Sequence, residues 1–167
     1  MAVTAVPEPK DLKWSDYKGP VPGGSSLDAF TQPRFTLGNA KAVKDGDKFR
    51  LDKVDIKLTM ETLSCWVNPA KKTNALLEHE RGHWFMQKLV AKEMESALAA
   101  LRADDPAALF KDAGTKFDWY QTPRSGFVDK QYDDDTNHGT NATQQGLWDA
   151  KIKAWTEKGS MDLVGPP

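Results

Sequence analysis

Residues 73–101 carry the pattern around which the rest of this chain must fold. Leu76, His83, Val90, Met94, Ala97 and Leu101 recur at intervals of three, four and seven residues, the stripe of one long helix. Alanines, leucines and lysines make the segment intrinsically helical. Asn68-Pro69 or Thr73 offers a start, and Asp104-Asp105-Pro106 a stop. Gly82 falls in the middle of this run, where glycine costs about 1 kcal/mol relative to alanine. Something at that position must require it.

Upstream the period is two. Val54, Ile56, Leu58 and Met60 alternate with Asp55, Lys57 and Thr59, which predicts a half-buried strand. An Asp-Gly turn at Asp45-Gly46, between Ala42-Val43 and Phe49/Leu51, predicts a hairpin. The two patterns are out of phase, so a bulge or bend is expected near Asp52 and Lys53. Downstream, Asp105 and Pro106 predict a shorter helix through Ala113, and residues 114–140 read as mixed structure with a turn at Pro123–Gly126. A last helix is expected from Ala142. Asn141 caps it with Gln144 three residues on, Leu147, Trp148, Ile152 and Trp155 form its apolar face, and Gly159 ends it.

The expected class is therefore α+β: a small, mainly antiparallel sheet from residues 34–67 on the long helix, with C-terminal helices closing the site. With 167 residues, 39% of them hydrophobic, the chain suits one domain with a real core. We expect a flexible leader over 1–13, the domain over 14–160 and a flexible tail over 161–167. A net charge of −1 with no clustered basic stripe argues against nucleic acid as a partner. No apolar run approaches the roughly 18 residues of a membrane span. The opening MAVTAVPEPK lacks signal-peptide character, leaving a cytoplasmic protein or one whose signal was removed. The single cysteine, Cys65, lies among apolar residues and reads as a small buried hydrophobe.

Chemistry enters at His79-Glu80-Arg81-Gly82-His83, an H-E-x-x-H pattern in the register of the helix. Residues four apart share a helical face, so two imidazoles can grip one cation. The glutamate beside the first of them reaches a water at the metal. Zinc lowers the pKa of such a water to about 7, and a glutamate then carries its proton onward. A catalytic zinc site needs a third protein ligand and an open fourth position. Glu93 and Glu95 are on the same helix, roughly 15 Å or more from His83 at 1.5 Å per residue, and cannot close it. His138, the only other histidine, lies in the Gly/Asn/Thr-rich stretch QYDDDTNHGTN and is the candidate. Ahead of it, Asp133 or Asp135 offers a carboxylate to orient a ligating imidazole, and Tyr132 a hydroxyl for an oxyanion. Asp134 reads as solvated.

LLEHERGHWF followed by YDDDTNHGTN and QQGLW, with WSDYKGPVP near the start, resembles the bacterial family of predicted secreted zinc-dependent proteases, long catalogued as a domain of unknown function. The resemblance runs from Trp14 to Trp148. It implies a zincin-like fold, one zinc ion on His79, His83 and His138, Glu80 as catalytic glutamate, and export from the cell. Tyr132, Asp133 and Thr136 match the family's residue types at those positions. The implied activity is hydrolysis of peptide bonds in a peptide or protein substrate. Two rivals share the metal: a zinc amidohydrolase acting on cell-wall or small amides, and a non-catalytic, zinc-stabilised binding module. In zincins generally an edge strand beside the active-site helix pairs with an extended peptide, and residues 54–67 are the expected source here. Gly82, one residue before a ligand, would let the backbone of the 132–139 loop approach the helix.

Overall fold

The computed structural model describes residues 11–165. It has a mixed architecture, with six short strands, β1 (Ala29–Phe30), β2 (Pro33–Leu37), β3 (Ala42–Asp45), β4 (Lys48–Leu51), β5 (Ile56–Met60) and β6 (Trp66–Val67). Four helices follow: α1 (Asn74–Ala99), α2 (Pro106–Trp119), α3 (Ser125–Thr136) and α4 (Ala142–Lys158). The α+β class holds, but the expected single sheet does not. The strands form three separate antiparallel pairs, β1–β6, β2–β5 and β3–β4, and they begin at Ala29 rather than at residue 34. The Asp45-Gly46 hairpin is present, with Asp45 opposite Lys48 and Gly46 at φ +67°.

The bend expected near Asp52 separates two of these ladders. Asp52 takes backbone N–H bonds from Lys41 and Lys53, ending β4. The next strand starts at Ile56, not Val54, and pairs with β2, Phe35 opposite Leu58.

Helix α1 matches its expected extent, with the Thr73 side chain capping the Leu76 N–H at 3.1 Å. It is covered around most of its circumference: Trp84, Met86, Val90, Met94 and Leu98 are wholly inaccessible. Helix α2 begins as expected, the Asp105 carboxylate accepting from the Ala108 N–H, but runs to Trp119 rather than Ala113.

Residues 114–140 differ most from expectation. In place of mixed structure with a turn at Pro123–Gly126, a π-type turn over Tyr120–Arg124 joins α2 directly to α3. Proline lacks the N–H an α-helix needs at that position, and the wider turn accommodates Pro123 without stopping the chain. The kink is tied to α1. The Arg124 guanidinium donates two bonds to Glu93, at 3.0 and 3.1 Å, and the Ser125 hydroxyl one to Gln87 at 2.9 Å. Asn141 caps α4 through the Gln144 N–H, and Gly159 ends it at φ +78°. Trp148, Ile152 and Trp155 are buried, whereas Leu147 is exposed.

The ends pack more than a leader and tail would. Leu12 is fully buried, and Met161 and Leu163 lie on the main core. Residues 1–10 and 166–167, the rest of those expected flexible ends, lie outside the described residues. The main core fills the space between α1, the other helices and the β2–β5 strands. A second, smaller cluster of Leu12, Tyr17, Ala29, Cys65 and Val67 seats β1 and β6 beside the first turns of α1. Cys65 is wholly inaccessible there, as expected of a small hydrophobe, and burial pushes its thiol up to about 11. Among the described residues no helix is long and apolar enough to cross a membrane.

Candidate metal centre

His79, Glu80 and His83 face a small cavity of about 60 Å³, bounded by Leu27–Thr31 on one side and by Asp129, Asp133 and His138 on the other. That volume holds a few water-sized bodies. Two elements supply the histidines' partners. Helical spacing on α1 sets His79 above His83, and helical spacing on α3 sets Asp129 below Asp133.

One atom organises the cluster. Asp133 Oδ1 lies 3.0 Å from His79 Nε2, 3.1 Å from His83 Nε2 and 3.3 Å from His138 Nδ1. The nitrogen and oxygen donors of His79, His83 and Asp133 all fall within 4.8 Å of one another, close enough to hold one metal ion. His138 is not in that group. It lies at the rim, its side chain 49% exposed against 2% for His79. The expected third ligand thus stands at the cavity mouth, and Asp133, expected behind the ligands, lies in the group of atoms that could hold an ion.

The far side of each imidazole is accounted for. His83 Nδ1 meets Asp129 Oδ1 at 2.8 Å, an oxygen that only accepts, so Nδ1 carries the proton. His79 Nδ1 meets Gln145 Oε1 at 3.1 Å. The Gln145 amide orientation is fixed because its nitrogen donates to the Tyr132 hydroxyl at 2.6 Å and to Asp149 at 2.8 Å. His79 Nδ1 is therefore the protonated nitrogen as well. Each Nε2 faces the same carboxylate oxygen, a position from which a protonated ring donates to it and a deprotonated ring can bind a cation. Two imidazoles with one carboxylate are a donor set that suits zinc.

The charges agree. Burial disfavours a charge on His83, but Asp129 and Asp133 outweigh it and hold its pKa well above the ordinary value. Burial likewise works against ionised Asp133, yet hydrogen bonds from His79 and His83 hold that carboxyl well below the usual range. Glu80 is pushed up by burial, offset in part by the His83 charge and by the Thr31 hydrogen bond. The Thr31 hydroxyl donates to Glu80 Oε2. Since that hydroxyl has one hydrogen, the Tyr17 hydroxyl, 2.7 Å away, must be the donor to Thr31. A relay from Tyr17 through Thr31 thus fixes one Glu80 oxygen.

Tyr132 is not where an oxyanion donor would stand. It is fully buried behind His79, its ring stacked on that imidazole at 4.5 Å between centroids, and its hydroxyl donates to the His79 carbonyl. It also answers the question of Gly82. A Cβ at Gly82 would come within 2.7 Å of Tyr132 Cζ, so the glycine admits a side chain, not a backbone. The close backbone approach occurs one turn earlier, where a Cβ on Gly139 would lie 2.8 Å from His79 Cβ and Cγ. Thr136 is buried and holds the turn after α3, accepting from the Gly139 N–H at 3.2 Å. Asp135 turns from the site to accept from Trp148 Nε1 at 3.0 Å. Asp134 is exposed and pairs with Lys130.

Asp129, Gln145, Thr31 and Tyr17 are missing from the sequence expectations. Only Asp129 left a signal, its four-residue offset from Asp133, and that becomes meaningful once α3 is known to be helical. No family model, curated protein or solved structure matches this chain.

Proposed function

We propose that this chain is a zinc-dependent peptidase of zincin-like design, its metal held by His79, His83 and Asp133 and its general base Glu80. The observation that carries this reading is the convergence of two imidazole nitrogens and one carboxylate oxygen beside a buried, braced glutamate. When bound, zinc would act as a Lewis acid on the amide carbonyl and bring the pKa of water at the site to about 7.

The chain's own residues supply the remaining steps. Glu80, its carboxylate oriented by Thr31, accepts a proton as the water oxygen bonds to the carbonyl carbon and an electron pair moves onto the carbonyl oxygen. The C–N bond then breaks, and Glu80 hands the same proton to the departing nitrogen. One carboxylic acid and one amine result. Burial favours this cycle, because it raises the proton affinity of Glu80 toward that of the groups it serves.

A peptide substrate is supported by β1. The Asn68 N–H bonds to the Asp28 carbonyl at 2.8 Å, so the ladder to β6 uses alternate residues and turns the main-chain groups of Ala29 to the opposite edge. Among the described residues no strand pairs there, and Ala29 lines the cavity. An extended peptide pairing with that edge crosses the site. The role assigned from sequence to residues 54–67 passes to β1. Export from the cell belongs to the same proposal and rests on the sequence resemblance.

The test is metal analysis of the purified protein with cleavage of a peptide library and a panel of simple amides. We expect about one zinc per chain and peptide cleavage, with Glu80→Gln keeping zinc and losing turnover. Absence of zinc, or a Glu80→Gln variant as active as the parent, overturns the reading.

A further inference from the structure

Resting on that reading, we propose that His138 is a catalytic hydrogen-bond donor to the substrate's carbonyl oxygen and not a zinc ligand. Its imidazole lines the cavity but stands outside the three donors that lie within mutual reach. Its polar side-chain neighbour is Asp133 Oδ1 at 3.3 Å, an approach without hydrogen-bond geometry. Among the described residues no side-chain hydrogen bond fixes either ring nitrogen, so the imidazole's N–H, on whichever nitrogen it sits, is available to the pocket.

The other side-chain donors lining the cavity are spent. His79 Nδ1–H serves Gln145, His83 Nδ1–H serves Asp129, and the Thr31 hydroxyl serves Glu80. Tyr132, the sequence candidate for an oxyanion donor, gives its hydroxyl to the His79 carbonyl. The charge that develops on a carbonyl oxygen needs a donor at that oxygen's position. Among the side chains lining the cavity, His138 has the N–H least committed elsewhere. Leaving it out of the metal sphere also keeps a fourth position open for water, which a closed four-ligand site lacks.

The backbone beneath it supports a placed role. Asn137, His138 and Gly139 are three successive left-handed residues, at φ +48°, +51° and +77°. Left-handed backbone is unfavourable for histidine and persists where the surroundings impose it. Here they do. The His138 N–H bonds to the Asp133 carbonyl at 3.0 Å, the Asn141 N–H to the Thr136 carbonyl at 2.8 Å, and the Asn137 amide to the Thr140 hydroxyl at 2.7 Å. Gly139 is pressed against His79. The main chain carrying His138 is thus clamped to the first metal ligand while the ring, half in solvent, remains free to turn toward a bound carbonyl.

The experiment compares His138→Ala and His138→Gln with Asp133→Ala and the parent, each loaded with zinc. Zinc affinity is read by chelator competition, and kcat and KM on a peptide the parent cleaves. We expect His138→Ala to hold zinc within about 3-fold of the parent and keep its KM, with kcat lowered about 100-fold, in line with loss of one oxyanion donor. His138→Gln, which retains an N–H donor, should recover part of that loss, and Asp133→Ala should lose zinc. If His138→Ala releases zinc as Asp133→Ala does, His138 is a ligand and the inference is wrong. It is equally wrong if His138→Ala keeps the parental kcat. A parent that binds no zinc or cleaves no peptide overturns the peptidase reading itself, whatever His138 does.

Discussion

His83 Nδ1 and Asp129 Oδ1 are joined across 2.8 Å, one on α1 and the other on α3, on the side of the ring away from Asp133. A carboxylate so placed fixes the tautomer and raises the basicity of the nitrogen that would face a metal. Asp129→Ala should therefore weaken zinc binding by about 10- to 100-fold. Asp129→Asn, which keeps an acceptor oxygen, should lose less. Chelator competition measures both, and equal affinities for Asp129→Ala and the parent would remove Asp129 from the site.

Gly82 gives a prediction by sign. In an ordinary exposed helix, glycine to alanine stabilises by roughly 1 kcal/mol. Here the new methyl meets the Tyr132 ring, which is pinned by Gln145 and the His79 carbonyl. Overpacking of this kind costs about 1–3 kcal/mol. Urea unfolding of Gly82→Ala should show net destabilisation, and a stabilised variant would refute the steric account.

Thr31→Val removes the hydroxyl that holds Glu80 while roughly preserving shape. Zinc content should stay at the parental value, and kcat should fall about 10- to 100-fold as the base loses its aim. Tyr17→Phe acts one bond further back and should cost less. Were Thr31→Val to lose its zinc, the hydroxyl would be supporting the ligands rather than the base.

Cys65 yields the pH dependence. Its thiol is wholly inaccessible and pushed up to about 11 from an unfolded value of 9.0. Because the folded pKa is the higher one, the native state holds this proton more tightly than the unfolded chain. The associated stability is complete below pH 9 and declines as pH rises through 11. Native protein at pH 8 should resist thiol alkylation until denaturant is added, and Cys65→Ala should flatten the alkaline loss. Rapid labelling of the native protein would contradict the burial.

How much of this was readable beforehand follows from where the information is local. Helix α1 carries its period, its Thr73 cap and both histidines in one continuous run, and all of these appear in the structure. The Asp45-Gly46 hairpin and the Asn141 cap are equally local. Helix α3 is not legible in the sequence because Pro123 and Gly126 read as a turn, whereas the Arg124–Glu93 and Ser125–Gln87 contacts hold the segment helical. Those are tertiary facts. The difference reaches the site. With residues 114–140 read as mixed structure and 132–139 as a loop, the four-residue pairing of Asp129 with Asp133 is invisible, and so is the place of Asp133 beside the two histidines. Thr31 and Tyr17 lie 49 and more positions from Glu80 in sequence, and no spacing rule reaches that far.

The three grouped donors belong to two helices whose inward faces are packed by Trp84, Met86, Val128 and Trp148. The framework therefore owes its integrity to apolar contacts and not to an ion, unlike a zinc finger, which melts when stripped. Exhaustive dialysis against a chelator should abolish turnover yet leave the far-ultraviolet dichroism and most of the melting temperature intact. Returning one equivalent of zinc should restore activity within the time of mixing, with no refolding lag.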